Sequence, residues 1–139
     1  MLAAHGARYH GWAPNAAAPG IFAQHLATVH VPRRYYSTIL PGIPTIRVFE
    51  ALACGIPLVS APWDDAEGLF RPGTDYLVAS DGVAMTRHLR DLANDADLRV
   101  QLVANGLETI HARHSCAHRV DELLAIVASL NPALTKDAA

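Results

Sequence analysis

Long apolar runs are missing from this chain. None approaches the 18 residues that a membrane-spanning helix needs. Its start also lacks the charged-then-apolar pattern of a secretory leader, so the expectation is a cytoplasmic protein without a membrane span. Cysteine is scarce: Cys54 and Cys116 fall in different predicted elements and are too few for a disulfide framework. They read as reduced thiols. No CxxC or HExxH spacing occurs, and a predicted helix break separates His111 and His114 from Cys116 and His118. Those four would not share a face, and no metal is expected. GxGxxG and Walker A loops are absent too, so dinucleotide and P-loop readings lack their phosphate cradles. Ser60 follows a strand without a Gly-x-Ser-x-Gly elbow, which argues against a hydrolase triad. With net charge −2 and pI near 6.4, nothing in the overall charge attracts nucleic acid or an anionic membrane. Phosphate recognition would fall to individual arginines.

What remains is the composition of a globular domain: 139 residues, 51% hydrophobic and 17% charged. That length suffices for one domain with a real core. The expected domain spans 1–132, with 133–139 as a disordered tail. Residues 7–12 read as a short strand and Ala16–Gly20 as a linker, since Pro19-Gly20 stops most elements. A short helix is expected over 21–27, then a strand at Thr28–Val31 closed by Pro32. Another strand is expected at 75–79, after a turn at Pro72-Gly73. Asp81 and Asp95 are candidate N-caps for helices reaching about Asn94 and His114. Ser115 opens a third helix, stopped by Asn131-Pro132. Val83, Met85, Leu89 and Leu92 are its candidate core contacts in the first of these helices. Leu98, Leu102, Val103, Leu107 and Ile110 serve in the second, and Val120, Leu123, Leu124 and Val127 in the third.

The most informative stretch is 42–61, Gly-Ile-Pro-Thr-Ile-Arg-Val-Phe-Glu-Ala-Leu-Ala-Cys-Gly-Ile-Pro-Leu-Val-Ser-Ala. It predicts a turn, a helix over 46–54 capped by the Thr45 hydroxyl, a left-handed stop at Gly55 and a strand from Ile56. The apolar run after Gly55 suits a parallel strand covered on both faces. The helix is apolar nearly all round, apart from a strip holding Arg47, Glu50 and Cys54. At such a helix start, free amides and the macrodipole favour an anion. Arg47 adds a bidentate donor, and Glu50 is placed to accept ribose hydroxyls. As a plainer reading, Arg47 and Glu50 form an i, i+3 surface pair worth about 0.2–0.5 kcal/mol. From the residues alone both readings stay open. Arg33 and Arg34 follow a strand, where α/β sheets bind ligands, and are read either as phosphate contacts or as ordinary loop charges. Asp64 and Asp65 are expected to cap the 66–70 turn rather than touch a sugar.

Pro-Thr-Ile-Arg-Val-Phe-Glu-Ala-Leu-Ala-Cys-Gly-Ile-Pro-Leu-Val-Ser resembles the donor-binding segment in the C-terminal half of GT-B glycosyltransferases, nearest the CgeB-like group. The likeness continues through Glu67–Gly73, Asp75–Val78 and Ala112–Ser115, covering roughly residues 28–126. It implies an α/β fold: a Rossmann-like, mostly parallel sheet flanked by helices, with a helical C-terminal run. It also implies transfer of a sugar from a nucleotide-sugar donor of UDP, GDP or dTDP type to an acceptor, without a cofactor. By this resemblance Glu50 holds the ribose. Pro44, Thr45, Ile46 and Arg47 face the diphosphate, with Arg33 or Arg34 opposite. Many retaining enzymes of this type carry a second Glu eight residues before the first, where this chain has Gly42, so retaining chemistry of that type is not supported. About four strands are expected where a doubly wound half has six. The chain therefore reads as incomplete, needing an N-terminal GT-B half or a partner chain, and inactive alone. The alternative is a non-catalytic α/β scaffold or interaction module.

Overall fold

The segment 42–61 builds helix, stop and strand in the predicted order. A computed structural model describes residues 6–33, 38–40 and 42–130 of the chain. A 3-10 turn at Asn15–Ala17 leads into α1 (Ala18–Phe22), β1 (Thr28–His30), α2 (Ile46–Ala53) and β2 (Leu58–Ser60). Then come β3 (Leu77–Val78), α3 (Gly82–Asn94), α4 (Ala96–Arg113) and α5 (Cys116–Leu130). Gly55 takes φ of +66°, and the Gly55 and Ile56 amides turn back to the Leu52 and Ala51 carbonyls. Such a left-handed stop satisfies carbonyls that the helix end leaves free.

Among the described residues the sheet has three parallel strands in the order β1-β2-β3. Register sets Thr28 beside Leu58, Val29 beside Val59 and His30 beside Ser60. All strands point the same way, so their carboxyl ends form one rim. As expected of a central parallel strand, β2 is fully buried. Leu58 joins Phe22, Val48, Leu52, Phe70, Tyr76 and Ile110 on one face. Val59 joins Ala79, Leu92 and Leu102 on the other. Each of the Val, Leu, Ile and Phe side chains among them contributes about 1.5–3 kcal/mol by leaving water. With helices on both faces, the fold is the expected α/β, Rossmann-like arrangement.

Both predicted caps hold: Asp81 accepts from the Ala84 amide and Asp95 from the Leu98 amide. Asp65 caps as expected, accepting from the Leu69 and Phe70 amides. Other expectations need correction. Residues 7–12 form no strand, being exposed and without a pairing partner among the described residues. The first helix starts earlier than 21, because Pro19 sits in its first turn, where a missing amide costs nothing. The strand expected at 75–79 shortens to Leu77–Val78, since Asp75 turns inward. Val83 is exposed, and α5 buries no residue, so Val120, Leu123, Leu124 and Val127 are not core contacts among the described residues. Ile46 is 71% exposed, so α2 is less enclosed than its composition suggests. The expected tail 133–139 lies outside the described residues.

Candidate functional site

Two buried polar residues end β1 and β2 at the rim. His30 closes β1, Ser60 closes β2, and both are buried. Thr45, at the start of α2, does not cap its helix. Its Oγ1 instead lies 2.8 Å from His30 Nε2, while His30 Nδ1 lies 2.9 Å from Ser60 Oγ. The Ser60 hydroxyl donates to the Ala61 carbonyl at 2.8 Å. A hydroxyl has one proton, so Ser60 Oγ must accept from His30 Nδ1–H. Nε2 of the neutral ring then accepts from Thr45. The expected Thr45 cap is therefore overturned: the side-chain orientation that brings Oγ1 to the buried imidazole takes it away from the first-turn amides.

Burial, reinforced by the nearby Arg47 charge, lowers the His30 pKa below its ordinary 6.5. The unfolded chain then binds a proton more readily than the folded one. Stability on this account is full above pH 6.5 and falls as pH drops from there towards the lowered folded value. Urea midpoints taken between pH 8 and pH 5 should show this loss. A His30→Gln variant should show less of it.

Arg47 and Glu50 lie one turn apart on α2, with Arg47 Nη1 3.2 Å from Glu50 Oε2. The Arg47 guanidinium also sits over the Phe22 ring, 5.8 Å from its centroid. Glu50 is about a quarter exposed and Arg47 about half. Together they line a notch of about 120 Å³ with Ala13, Pro14, Asn15, Ala18, Ile21 and Phe22. Pockets that enclose small molecules run to about 300–1,000 Å³, so the notch is a partial recess. Pro44 and Thr45 are half-buried just before α2 and do not line the notch, and Ile46 is exposed. Arg33 is exposed on the loop after β1, and Arg34 lies outside the described residues. The structure thus gathers Arg47 and Glu50, and ties Thr45 to His30.

Gly42 takes φ of +85°, and a Cβ there would come within 2.8 Å of Ala66 Cβ. Nearby histidines are otherwise engaged: His114 Nε2 bonds the Leu69 carbonyl at 2.9 Å, and His118 Nδ1 lies 2.6 Å from Ser115 Oγ. Although Ser60 touches a histidine, it is wholly enclosed and its proton is committed to a carbonyl, so it is no nucleophile. No described helix is long and apolar enough to cross a membrane.

Parallel strands flanked by helices, with a charged helix start at the rim, define an α/β domain of the Rossmann-like class. The model of the glycosyl transferase-like family matches residues 2–125. The chain belongs to that family. No curated protein and no solved structure matches it.

His30 is the residue that the sequence reading missed. Its signal was available: a polar side chain between the valines of a predicted strand, with a serine near the end of the next.

Proposed function

We propose that this chain binds the nucleoside diphosphate of a nucleotide-sugar and takes part in transferring the sugar to an acceptor. The observation that carries the reading is the Arg47–Glu50 strip in the first turns of α2, which faces a small recess and whose helix starts beside the carboxyl end of β1. Ligands of open α/β sheets bind at that end of the strands. In this reading Arg47 and the backbone of Pro44, Thr45 and Ile46 hold the diphosphate. Glu50 accepts from the ribose hydroxyls, and Arg33 or Arg34 reaches the phosphates from across the recess. The acceptor oxygen attacks the anomeric carbon as the bond to the diphosphate breaks. Donors fixed around the departing diphosphate stabilise the charge that develops on it.

The recess holds only part of such a ligand, so the remainder extends over the rim. This fits a donor domain of GT-B type, CgeB-like, working with an N-terminal half or a partner chain. It uses no cofactor and acts in the cytoplasm. The 3.2 Å ion pair favours a second reading, a non-catalytic scaffold in which Arg47 and Glu50 merely satisfy each other.

Titration with UDP-, GDP- and dTDP-glucose separates the two. Arg47→Gln should weaken binding of the preferred donor about 10- to 100-fold, since hydrogen bonds to charged groups are worth about 1.5–3 kcal/mol. Glu50→Gln should weaken it about tenfold on the same basis. In the scaffold reading no nucleotide-sugar binds, and both variants change stability by less than about 0.5 kcal/mol.

A further inference from the structure

The Ser60–His30–Thr45 chain determines which way the Thr45 hydroxyl points. With His30 neutral, Nε2 is an acceptor and the Thr45 proton is turned inward to it. Only oxygen lone pairs then face outward, an unfavourable surface for an anion. With both ring nitrogens protonated, Nε2–H becomes the donor and Thr45 Oγ1 accepts. The Thr45 proton is freed to turn towards the helix start. Ser60 needs no change, because Nδ1–H donates to it in either state.

We propose that His30 is a positioning residue for the donor site: binding of a nucleotide-sugar's diphosphate takes up a proton at His30, which reverses the Thr45 hydrogen bond and makes that hydroxyl a donor to the phosphate. This rests on the donor-site reading above. His30 meets the ligand only through Thr45, since the ring itself is buried. Among the described residues, the groups facing the ring are the neutral hydroxyls of Thr45 and Ser60 and the charge of Arg47 on α2, whose partner is Glu50. In the empty protein burial, reinforced by Arg47, favours the neutral ring. A bound diphosphate offsets the Arg47 charge and places negative charge beside the relay, which favours the imidazolium. No bond between heavy atoms changes: one proton from solvent bonds to Nε2, and the Thr45 hydroxyl hydrogen turns outward.

The sign separates this from a purely structural role. Empty protein loses stability in acid through His30, so a structural histidine would give weaker binding there. Proton uptake gives tighter binding in acid.

The experiment is calorimetric titration of the full chain with UDP-, GDP- and dTDP-glucose from pH 8 to pH 5.5. These diphosphate diesters have no proton of their own titrating in that range. Two buffers of different ionisation enthalpy at each pH count the protons exchanged. Expected is uptake of part of a proton near neutral pH, with affinity rising about three- to tenfold as pH falls from 8 to 6. His30→Gln, whose side chain can bond Thr45 but does not titrate, should bind with no uptake and a flat profile. Binding by the wild type without uptake, or weaker binding in acid, overturns the inference while leaving the donor site standing. Failure of all three sugars to bind at any pH overturns the donor site and this inference with it. The wild-type proton count decides the matter even where the variant does not fold.

Discussion

Replacing Asp75 with alanine should destabilise the fold by about 3 kcal/mol or more, within the 3–5 kcal/mol range for breaking a buried ion pair. Asp75 is fully buried, yet its carboxylate is satisfied on every side. Oδ2 accepts from the Arg71 amide at 2.8 Å and from the Thr109 hydroxyl at 2.9 Å. Oδ1 accepts from Arg71 Nε at 2.9 Å and faces Nη2 at 2.8 Å. The Arg71 guanidinium continues to the Asn105 carbonyl and the Glu108 carboxylate on α4. One carboxylate therefore ties the turn before β3 to the middle of α4. Removing it leaves the part-buried Arg71 amide and the buried Thr109 hydroxyl without this acceptor, which adds to the loss of the pair. Because Arg71 is itself half exposed, the lower end of the range applies. Urea denaturation measures the effect. Glu122→Ala, which removes the exposed Arg119–Glu122 pair, should change stability by less than about 0.5 kcal/mol.

Phe70→Ala is the second large effect, about 3–5 kcal/mol, the usual range for truncating a buried aromatic. The Phe70 ring is surrounded by Phe49 at 4.9 Å, His114 at 5.0 Å, Trp63 at 6.3 Å and Tyr76 at 6.4 Å between centroids. Burial pushes the Tyr76 phenol up to about 12, helped by the Asp65 charge and opposed by the Trp63 indole. That indole N–H lies near enough to act on the phenol without forming a well-shaped hydrogen bond to any described residue. His114 Nδ1 likewise lacks a partner among them. A cavity opened beside these two atoms is polar enough to admit water, which should hold the loss nearer 3 kcal/mol. Unfolding followed by Trp63 fluorescence reads it directly. Since Phe49 precedes Glu50, the variant should also loosen the helix that carries the charged strip.

Local chemistry was legible in the sequence, and contacts between distant residues were not. Gly55 after a run of helix formers, and aspartates ahead of α3 and α4, act within a turn of their own positions. Each was found where expected. The apolar run of β2 announced a strand covered on both faces for the same reason. Thr45 looked like a cap because every local feature favours one, including its extended backbone. What overrides the cap is a histidine fifteen residues earlier, held in place by a serine thirty residues beyond it. Neither separation leaves a trace in local periodicity. Of the candidate site, the Arg47–Glu50 pair was legible from helical spacing. The notch it lines depends on how α1 folds back, which Pro19-Gly20 concealed by resembling a break. The apolar stripe of α5 misled in the other direction. Val120, Leu123, Leu124 and Val127 repeat as a core face should, yet nothing in the described chain covers them.

Gly42 has a consequence for engineering. The retaining enzymes that this segment resembles often have a glutamate at the position of Gly42, and grafting one in looks like a single change. It is a coupled pair of changes. Any β-carbon at 42 would press on the Ala66 methyl and would be forced into a left-handed backbone that ordinary side chains avoid. A grafted glutamate would therefore need the 62–68 loop trimmed or redrawn at the same time. The two alterations would be strongly non-additive, each harmful without the other.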